Sequence, residues 1–289
     1  MKVLVTGATG FTGSYVVRAL IEKNVQVHCF VRQQSNLNGL PHEVAQLHYG
    51  DLNDQSSLAS ALDEVDVLVN IASLGFGHAP NVVTAALEAK IKRAIFISTT
   101  AIFTNLNAPS KATRLAAEAT IMQSSLAYTI LRPTMIYGSQ YDRNMYRLIR
   151  YLKRWSVLPI LGNGESLQQP VYVEDVAQAV TKALLSEQTI NQAYNIPGAK
   201  ALTYNQVIDT ICKTLDKQVY KIHLPHIPLV RTLKLVERSG FYLPIKTEQI
   251  LRLNENKTFD FANARQDFDY QPRTFRQGIA LEIANSTGY

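Results

Sequence analysis

Apolar runs of five to eight residues punctuate the first half of the chain: KVLVT (2–6), VQVHCFV (25–31), VAQLHY (44–49), VDVLVNIA (65–72), RAIFIS (93–98) and AYTILRP (127–133). They are mostly continuous rather than alternating, which predicts parallel strands covered on both faces. Amphipathic stretches at about 11–23, 54–64, 80–91 and 110–124 separate them and predict helices. Repeated β-α units of this length imply an α/β fold of the Rossmann-like, doubly wound parallel type. The expected core is residues 1–135. After it the pattern loosens, aromatic and basic residues accumulate, and LPHIP (224–228) interrupts it. Residues 136–289 are expected to form a smaller, mixed α/β subdomain on the substrate side. QPVYV (169–173) and AYNI (193–196), with the stretch near 169–185, are expected to return to the core.

Composition narrows the class without changing this picture. At 46% hydrophobic and 18% charged, the 289-residue chain has the balance of a globular protein. No apolar run approaches the ~18 residues of a membrane-spanning helix, and MKVLVTG does not read as a signal peptide. Cys29 lies in an apolar strand, so a buried reduced thiol and a cytoplasmic location are expected. The formal charge of +6 suits acidic ligands but does not predict a nucleic-acid binder.

TGATGFTG (6–13) follows the first predicted strand and opens the first predicted helix. In that context Gly7 allows a tight turn, Gly10 lets backbone approach a pyrophosphate, and Gly13 lets helix and strand pack closely. The helix N-terminus then offers amide donors to phosphate. Dinucleotide users that bind NAD carry an acid at the end of the second strand. Here Val31 stands in that place and Arg32 follows, a planar fork suited to a 2′-phosphate. NADP(H) is therefore expected over NAD(H). Taken alone, Asp51, in YGDLND, reads as a candidate helix N-cap.

The GxxGxxG spacing, with GDL (50–52) and LRPTMIYG (131–138), resembles the short-chain dehydrogenase/reductase superfamily, in particular its extended branch of sugar-nucleotide epimerases and dehydratases. The resemblance implies cofactor contacts at Gly7, Thr9, Gly10, Phe11, Thr12, Gly13, Arg32, Asp51, Leu52, Ala72, Arg114, Pro133 and Thr134. It also implies a catalytic tyrosine with a lysine four residues on, and a Ser or Thr on the preceding strand end. Thr99 fits that last position best, with Thr100 as the near alternative. Anchored on Ala117 and Glu118, the tyrosine position holds Ser110 and the lysine position Arg114. Shifting the register onto Lys111 puts Asn107 at the tyrosine position. No tyrosine occurs between Tyr49 and Tyr128 in any register. A serine hydroxyl is no useful acid at neutral pH, and an arginine stays protonated. Tyr137 is the substitute acid that the family pattern brings nearest to the nicotinamide, with core packing as its competing role.

In ESLQQPVYVEDVAQA (165–179), Gln168 falls where the epimerases carry a diphosphate-binding arginine, and Tyr172 where they carry a histidine. The two departures together resemble a narrower, atypical group, that of the 39-kDa accessory subunit of respiratory complex I and its bacterial relatives. That resemblance implies a tightly bound NADP(H) and a role in the assembly or stability of a partner. The expected function is thus an NADP(H)-binding, accessory or redox-sensing protein with little turnover. The alternative is an NAD(P)-dependent oxidoreductase or epimerase/dehydratase acting on a small carbonyl or sugar nucleotide, through Thr99 and an unorthodox acid such as Tyr137 or a water. A third reading makes the glycine loop vestigial. Arg143, Arg147, Arg150 and Arg154 share one predicted helix face opposite Met145, Leu148, Ile149 and Leu152. That stripe is a candidate surface for an acidic protein or an anionic membrane, leaving a peripheral membrane position open. His78 is a further candidate in the loop after the fourth strand. No metal is expected.

Overall fold

The computed structural model describes residues 1–106, 108, 110–142, 144–225 and 251–285. The first part runs β1 (Lys2–Thr6), α1 (Phe11–Ile21), β2 (Gln26–Val31), β3 (Gln46–Tyr49), α2 (Gln55–Leu62), β4 (Val67–Asn70), α3 (Ala79–Glu88), β5 (Arg93–Ile97), α4 (Lys111–Gln123) and β6 (Tyr128–Pro133). The second part runs β7 (Ile136–Tyr137), α5 (Met145–Arg154), β8 (Val157–Leu161), β9 (Leu167–Gln168), β10 (Val171–Tyr172), α6 (Val173–Leu185), β11 (Gln192–Ile196), β12 (Leu202–Thr203), α7 (Tyr204–Thr214), β13 (Tyr220–Leu224), α8 (Ala262–Phe268) and α9 (Phe275–Asn285).

Seven strands form one sheet in the order β11-β6-β5-β4-β1-β2-β3, and every pairing is parallel. The chain leaves β1 first toward β2 and β3, then crosses back to β4. The crevice at that reversal is where ligands of open α/β sheets bind. The apolar runs are continuous because both faces of the sheet are covered. In β1, Val3 and Val5 join a core with Val16, Val17 and Leu20 of α1 and with Val176 and Val180 of α6. Leu4, between them, joins the opposite core with Leu58 of α2, Val82 of α3 and Ile121 of α4.

A third core joins Met145, Ile149 and Leu152 of α5 to Val207 and Ile211 of α7, Ile279 of α9, and both Tyr137 and Tyr172. The two pieces expected to return to the main body behave differently. AYNI becomes part of β11 and closes the main sheet beside β6. In QPVYV only Val171 and Tyr172 are extended, pairing with β7 in a separate two-stranded sheet, and Val173 already begins α6. Glu174 and Asp175 in the first turn of α6 favour the helix start. LPHIP lies partly outside the described residues.

Asp142 and Glu282, both buried, join α9 to the start of α5. Asp142 Oδ1 accepts from the backbone N–H groups of Asn144, Met145 and Tyr146 at 3.0, 2.7 and 3.1 Å. As two carboxylates the pair would leave Asp142 Oδ2 and both Glu282 oxygens without a partner; a proton on Glu282, donated to Asp142, pairs Asp142 Oδ2 with one of the Glu282 oxygens. Burial, then the Asp142 charge and its hydrogen bond, push the Glu282 carboxyl up to about 9 from its ordinary 4.5. A raised acid pKa favours the fold below its unfolded value, and the advantage is lost as pH rises through the folded one. Stability should therefore fall between about pH 4.5 and about pH 9. Glu282→Gln, which keeps a donor to Asp142, should remove up to about 1.4 kcal/mol per pH unit of that slope, read from denaturant midpoints across the window. An unchanged slope would contradict the shared proton.

Candidate functional site

The crevice at the sheet reversal opens into a cleft of about 1070 Å³. Its floor is the turn from β1 to α1. Gly7 has φ +67°, and a Cβ there would stand 2.7 Å from Ala72 N. A Cβ on Gly13 would stand 2.1 Å from the Gly7 carbonyl oxygen, and one on Gly10 3.2 Å from it. The turn is closed by Gly10 N–H donating to Gly7 O at 3.0 Å. Gly10 caps α1 without a side-chain hydrogen bond, so the first amides of this eleven-residue helix face the cleft. Thr6 Oγ1 donates to Asn70 Oδ1 at 2.7 Å, and Asn70 Nδ2 to the Ala72 carbonyl at 3.1 Å. These bonds set the loop after β4 against the glycine turn. The residues fit a dinucleotide: side chains are excluded where pyrophosphate would pass, and two buried polar atoms on the cleft wall, His78 Nε2 and Ser98 Oγ, have no partner.

One end of the cleft is formed by Phe30, Val31, Arg32, Ser35, Asp51, Leu52 and Asn53. Arg32 is exposed, and Ser35 Oγ accepts from its backbone N–H at 3.1 Å. Asp51 is not a helix cap. That role belongs to Asp54, whose side chain accepts from Ser56 N–H. Asp51 Oδ1 instead accepts from the Asn53 backbone and side chain, both at 2.9 Å, and the backbone bond chiefly holds its carboxyl below the ordinary range. Burial lowers the His78 imidazole, and nearby Asp51 partly opposes that. His78 therefore belongs electrostatically to this end of the cleft.

The other end is formed by Ile97, Ser98, Thr99, Ala101, Arg114, Ile136 and Arg252. The ends of β3 and β5 lie four strand spacings apart, about 19 Å at ~4.8 Å per strand, a span suited to an extended dinucleotide. Thr99 lines the cleft and its Oγ1 accepts from Ala101 N–H at 3.2 Å, so its own proton remains available. Thr100 turns away and donates to the Pro133 carbonyl at 3.4 Å. The Glu118 carboxylate takes Arg132 through bonds of 3.1 and 2.6 Å, locking α4 to β6. Arg114 NH1 donates to Ser110 Oγ, so the side chains at the tyrosine and lysine positions bond each other. Ser110 does not line the cleft; Arg114 does, with its guanidinium 3.2 Å from where a Cβ on Gly75 would sit.

Several expected residues lie elsewhere. Tyr137 is buried in the third core, its hydroxyl donating to the Phe275 carbonyl at 3.4 Å. Burial pushes its phenol far above the ordinary value, so it is packing here, not an acid facing the cleft. Pro133 and Thr134 are also off the cleft wall, and Thr134 Oγ1 donates to the Gln169 carbonyl at 2.5 Å. Gln168 is buried, its Nε2 donating to the Glu255 carbonyl at 3.4 Å. Tyr172 is buried under the Arg273 guanidinium, 4.6 Å from the ring centroid. Asn107 and Arg143 lie outside the described residues. Arg147, Arg150 and Arg154 are exposed on α5, Arg150 over Tyr146 and Arg154 over Trp155, with Met145, Ile149 and Leu152 buried opposite. Sequence reasoning missed Ser35, Ser98 and Arg252. Ser98 adjoins Thr99 and was within reach; no local pattern marks Arg252, which follows Arg114 by more than a hundred residues.

A family model described as the NAD dependent epimerase/dehydratase family matches residues 3–197. The chain belongs to this family. It is 25% identical to NADH dehydrogenase (ubiquinone) 1 alpha subcomplex subunit 9, mitochondrial, of Arabidopsis thaliana, over 96% of this chain and 76% of that one. It is 26% identical to photosystem II assembly factor Ycf39 of Trieres chinensis, over 84% of this chain and 77% of that one. The fold is similar to that of UDP-glucose 4-epimerase from Thermotoga maritima, with a TM-score of 0.78, 18% identity and 99% of each chain covered. Relatives of the atypical group thus stand beside epimerases, as the motifs implied. Among the described residues no helix is long and apolar enough to cross a membrane, and no group of three His, Cys, Asp or Glu side chains could hold a metal.

Proposed function

We propose that the protein binds NADP(H) as an accessory or redox-sensing member of the family, with little turnover of its own. The observation that carries this reading is the composition of the cleft: a glycine turn, Arg32 and Ser35 at the adenosine end, and no tyrosine among the described residues lining it. Bound NADP(H) supplies hydride chemistry. Gly7, Gly10, Gly13 and the first amides of α1 would hold its pyrophosphate, and Arg32 with Ser35 a 2′-phosphate. Asp51 and Leu52 would face the adenine, Ala72 the ribose-pyrophosphate turn, and Arg114 the far ribose. The family's tyrosine would deliver a proton at the substrate oxygen; here that position holds Ser110, committed to Arg114. Two relatives named for a respiratory complex and an assembly factor support an accessory role. The exposed Arg147, Arg150 and Arg154 would serve as the surface for an acidic partner or an anionic membrane face, and a cytoplasmic location fits the reduced, buried Cys29 and Cys212.

A second reading, slow reduction or epimerisation of a carbonyl or sugar-nucleotide substrate, is favoured by one observation: Thr99 lines the cleft with its hydroxyl proton uncommitted. Thr99 would then orient the substrate oxygen and a bound water would replace the missing acid. Tyr137 has no part in it unless the third core opens.

Arg32→Asp separates NADP from NAD. It should weaken NADPH binding by about tenfold or more, about 1.4 kcal/mol, and leave NADH binding equal or tighter, as read by fluorescence titration. An unchanged NADPH affinity would remove Arg32 from the site. NADPH oxidation with a panel of aldehydes and ketones should show no turnover that Thr99→Ala abolishes; such turnover would favour the second reading.

A further inference from the structure

The sequence of α5, MYRLIRYLKR, carries four cations and no acid. Met145, Ile149 and Leu152 are buried, so Arg147, Tyr151 and Arg154, spaced i, i+4 and i+7, share the outward face of the helix, with Arg150 beside them. Among the described residues none of the side chains of Arg147, Arg150, Lys153 and Arg154 enters an ion pair. Arg154 instead lies 5.3 Å from the ring centroid of Trp155, the only tryptophan in the chain.

The outward face continues onto β8 and β13. These strands pair in parallel, with Val157 beside Tyr220, Pro159 beside Ile222 and Leu161 beside Leu224. Side chains alternate along a strand. Leu158 and Ile160 face the third core, and Lys221, on their side, donates to Asp209 of α7 at 2.7 Å. The other set turns to solvent: Tyr220 is 73% exposed, Ile222 50% and Val157 44%. Three bonds fasten this sheet face to the basic end of α5. The Tyr151 hydroxyl donates to the Val157 carbonyl at 3.0 Å, Tyr220 N–H to the Ser156 carbonyl at 2.8 Å, and Lys217 Nζ to the Lys153 carbonyl at 2.8 Å.

Apolar and aromatic side chains exposed in a row, with cations at their border, mark a docking surface. The order of the groups decides what docks. Guanidinium and ammonium groups stand at the end of α5, Trp155 and Tyr220 adjoin them, and Val157, Pro159 and Ile222 follow. An anionic leaflet presents phosphates, then the level where tryptophan and tyrosine collect, then acyl chains. An acidic protein face answers the cations but not the apolar row. We infer that the outward faces of α5 and of the β8–β13 pair form one surface for an anionic lipid bilayer, with Arg150, Lys153 and Arg154 on the headgroups and Trp155, Tyr220 and Ile222 in the interface. The inference rests on the accessory reading and commits its basic face to lipid. None of these residues lines the nucleotide cleft, so the two sites are tested apart.

The test is sedimentation of the full chain with vesicles of phosphatidylcholine alone and of phosphatidylcholine and phosphatidylglycerol in equal amounts. Binding only to the vesicles with phosphatidylglycerol is expected, weakening as salt is added. Trp155, as the only tryptophan, reports the contact. Its emission should move to shorter wavelength on binding and become less open to quenching by acrylamide. Arg150→Gln combined with Arg154→Gln should weaken binding by about tenfold or more. Ile222→Ser should weaken it at unchanged charge, and all three substitutions should leave NADPH affinity as it is. The inference is overturned if the anionic vesicles do not bind, if the emission of bound protein stays unshifted, or if the variants bind as the parent does. Binding of soluble polyglutamate in place of vesicles would assign the face to an acidic protein and overturn it equally. NADPH is titrated separately. Vesicle binding by a protein that takes up no NADPH would remove the cofactor reading and leave this one standing.

Discussion

Everything in the cleft depends on how closely α1 passes over the turn that follows β1. The Gly13 position leaves 2.1 Å between a Cβ and the Gly7 carbonyl oxygen, so no side chain fits there without moving the helix. That approach aims the uncapped amides of α1 into the crevice where the strand order reverses. The Thr6–Asn70–Ala72 bonds then bring the loop after β4 to the same place. One covalent turn and two short hydrogen bonds thus prepare an anion-binding floor. The neighbouring strand ends decide what lies on it.

Those strand ends divide the cleft into two kinds of surface. The β2 and β3 ends bring an exposed guanidinium, a serine hydroxyl and a carboxylate held in a tight turn, which together suit a ribose and its substituents. The β5 end and α4 bring hydroxyls and arginines where the family's proton-transfer pair would stand. The Glu118–Arg132 bond fastens α4 to β6, and on α4 Arg114 donates to Ser110. The nearest tyrosine in the family pattern is enclosed by α9 and bonded to the Phe275 carbonyl. Among the described residues lining the cleft there are hydroxyls and arginines but no tyrosine.

The parallel sheet was legible because strands buried on both faces leave unbroken apolar runs, and observed strands differ from those runs only at their ends. The glycine turn was legible because its requirement is steric and local. Val31 and Arg32 could be read for the same reason, since strand ends in this topology point at one crevice. Most of what escaped depends on contacts distant in sequence. Asp51 and Asp54 are both plausible caps in GDLND, and only the local backbone shows that Asp54 takes the helix. Thr134 and Gln168 look like site residues by position, yet each is absorbed by a carbonyl from a segment brought in by the fold. Arg252 lies in a stretch without periodicity and reaches the cleft only because Leu167 and Asn256 hold that segment to the rim. The short strands β9 and β10 carry too few residues for any repeat to show.

The most direct test of the central claim is a calorimetric titration of the nucleotide-free protein with NADPH and, separately, with NADH. The account predicts saturable binding of NADPH with a preference of about tenfold or more over NADH, about 1.4 kcal/mol. Equal affinities would contradict the part assigned to Arg32 and Ser35. Binding of neither would mean that the glycine turn shapes the sheet without holding a dinucleotide.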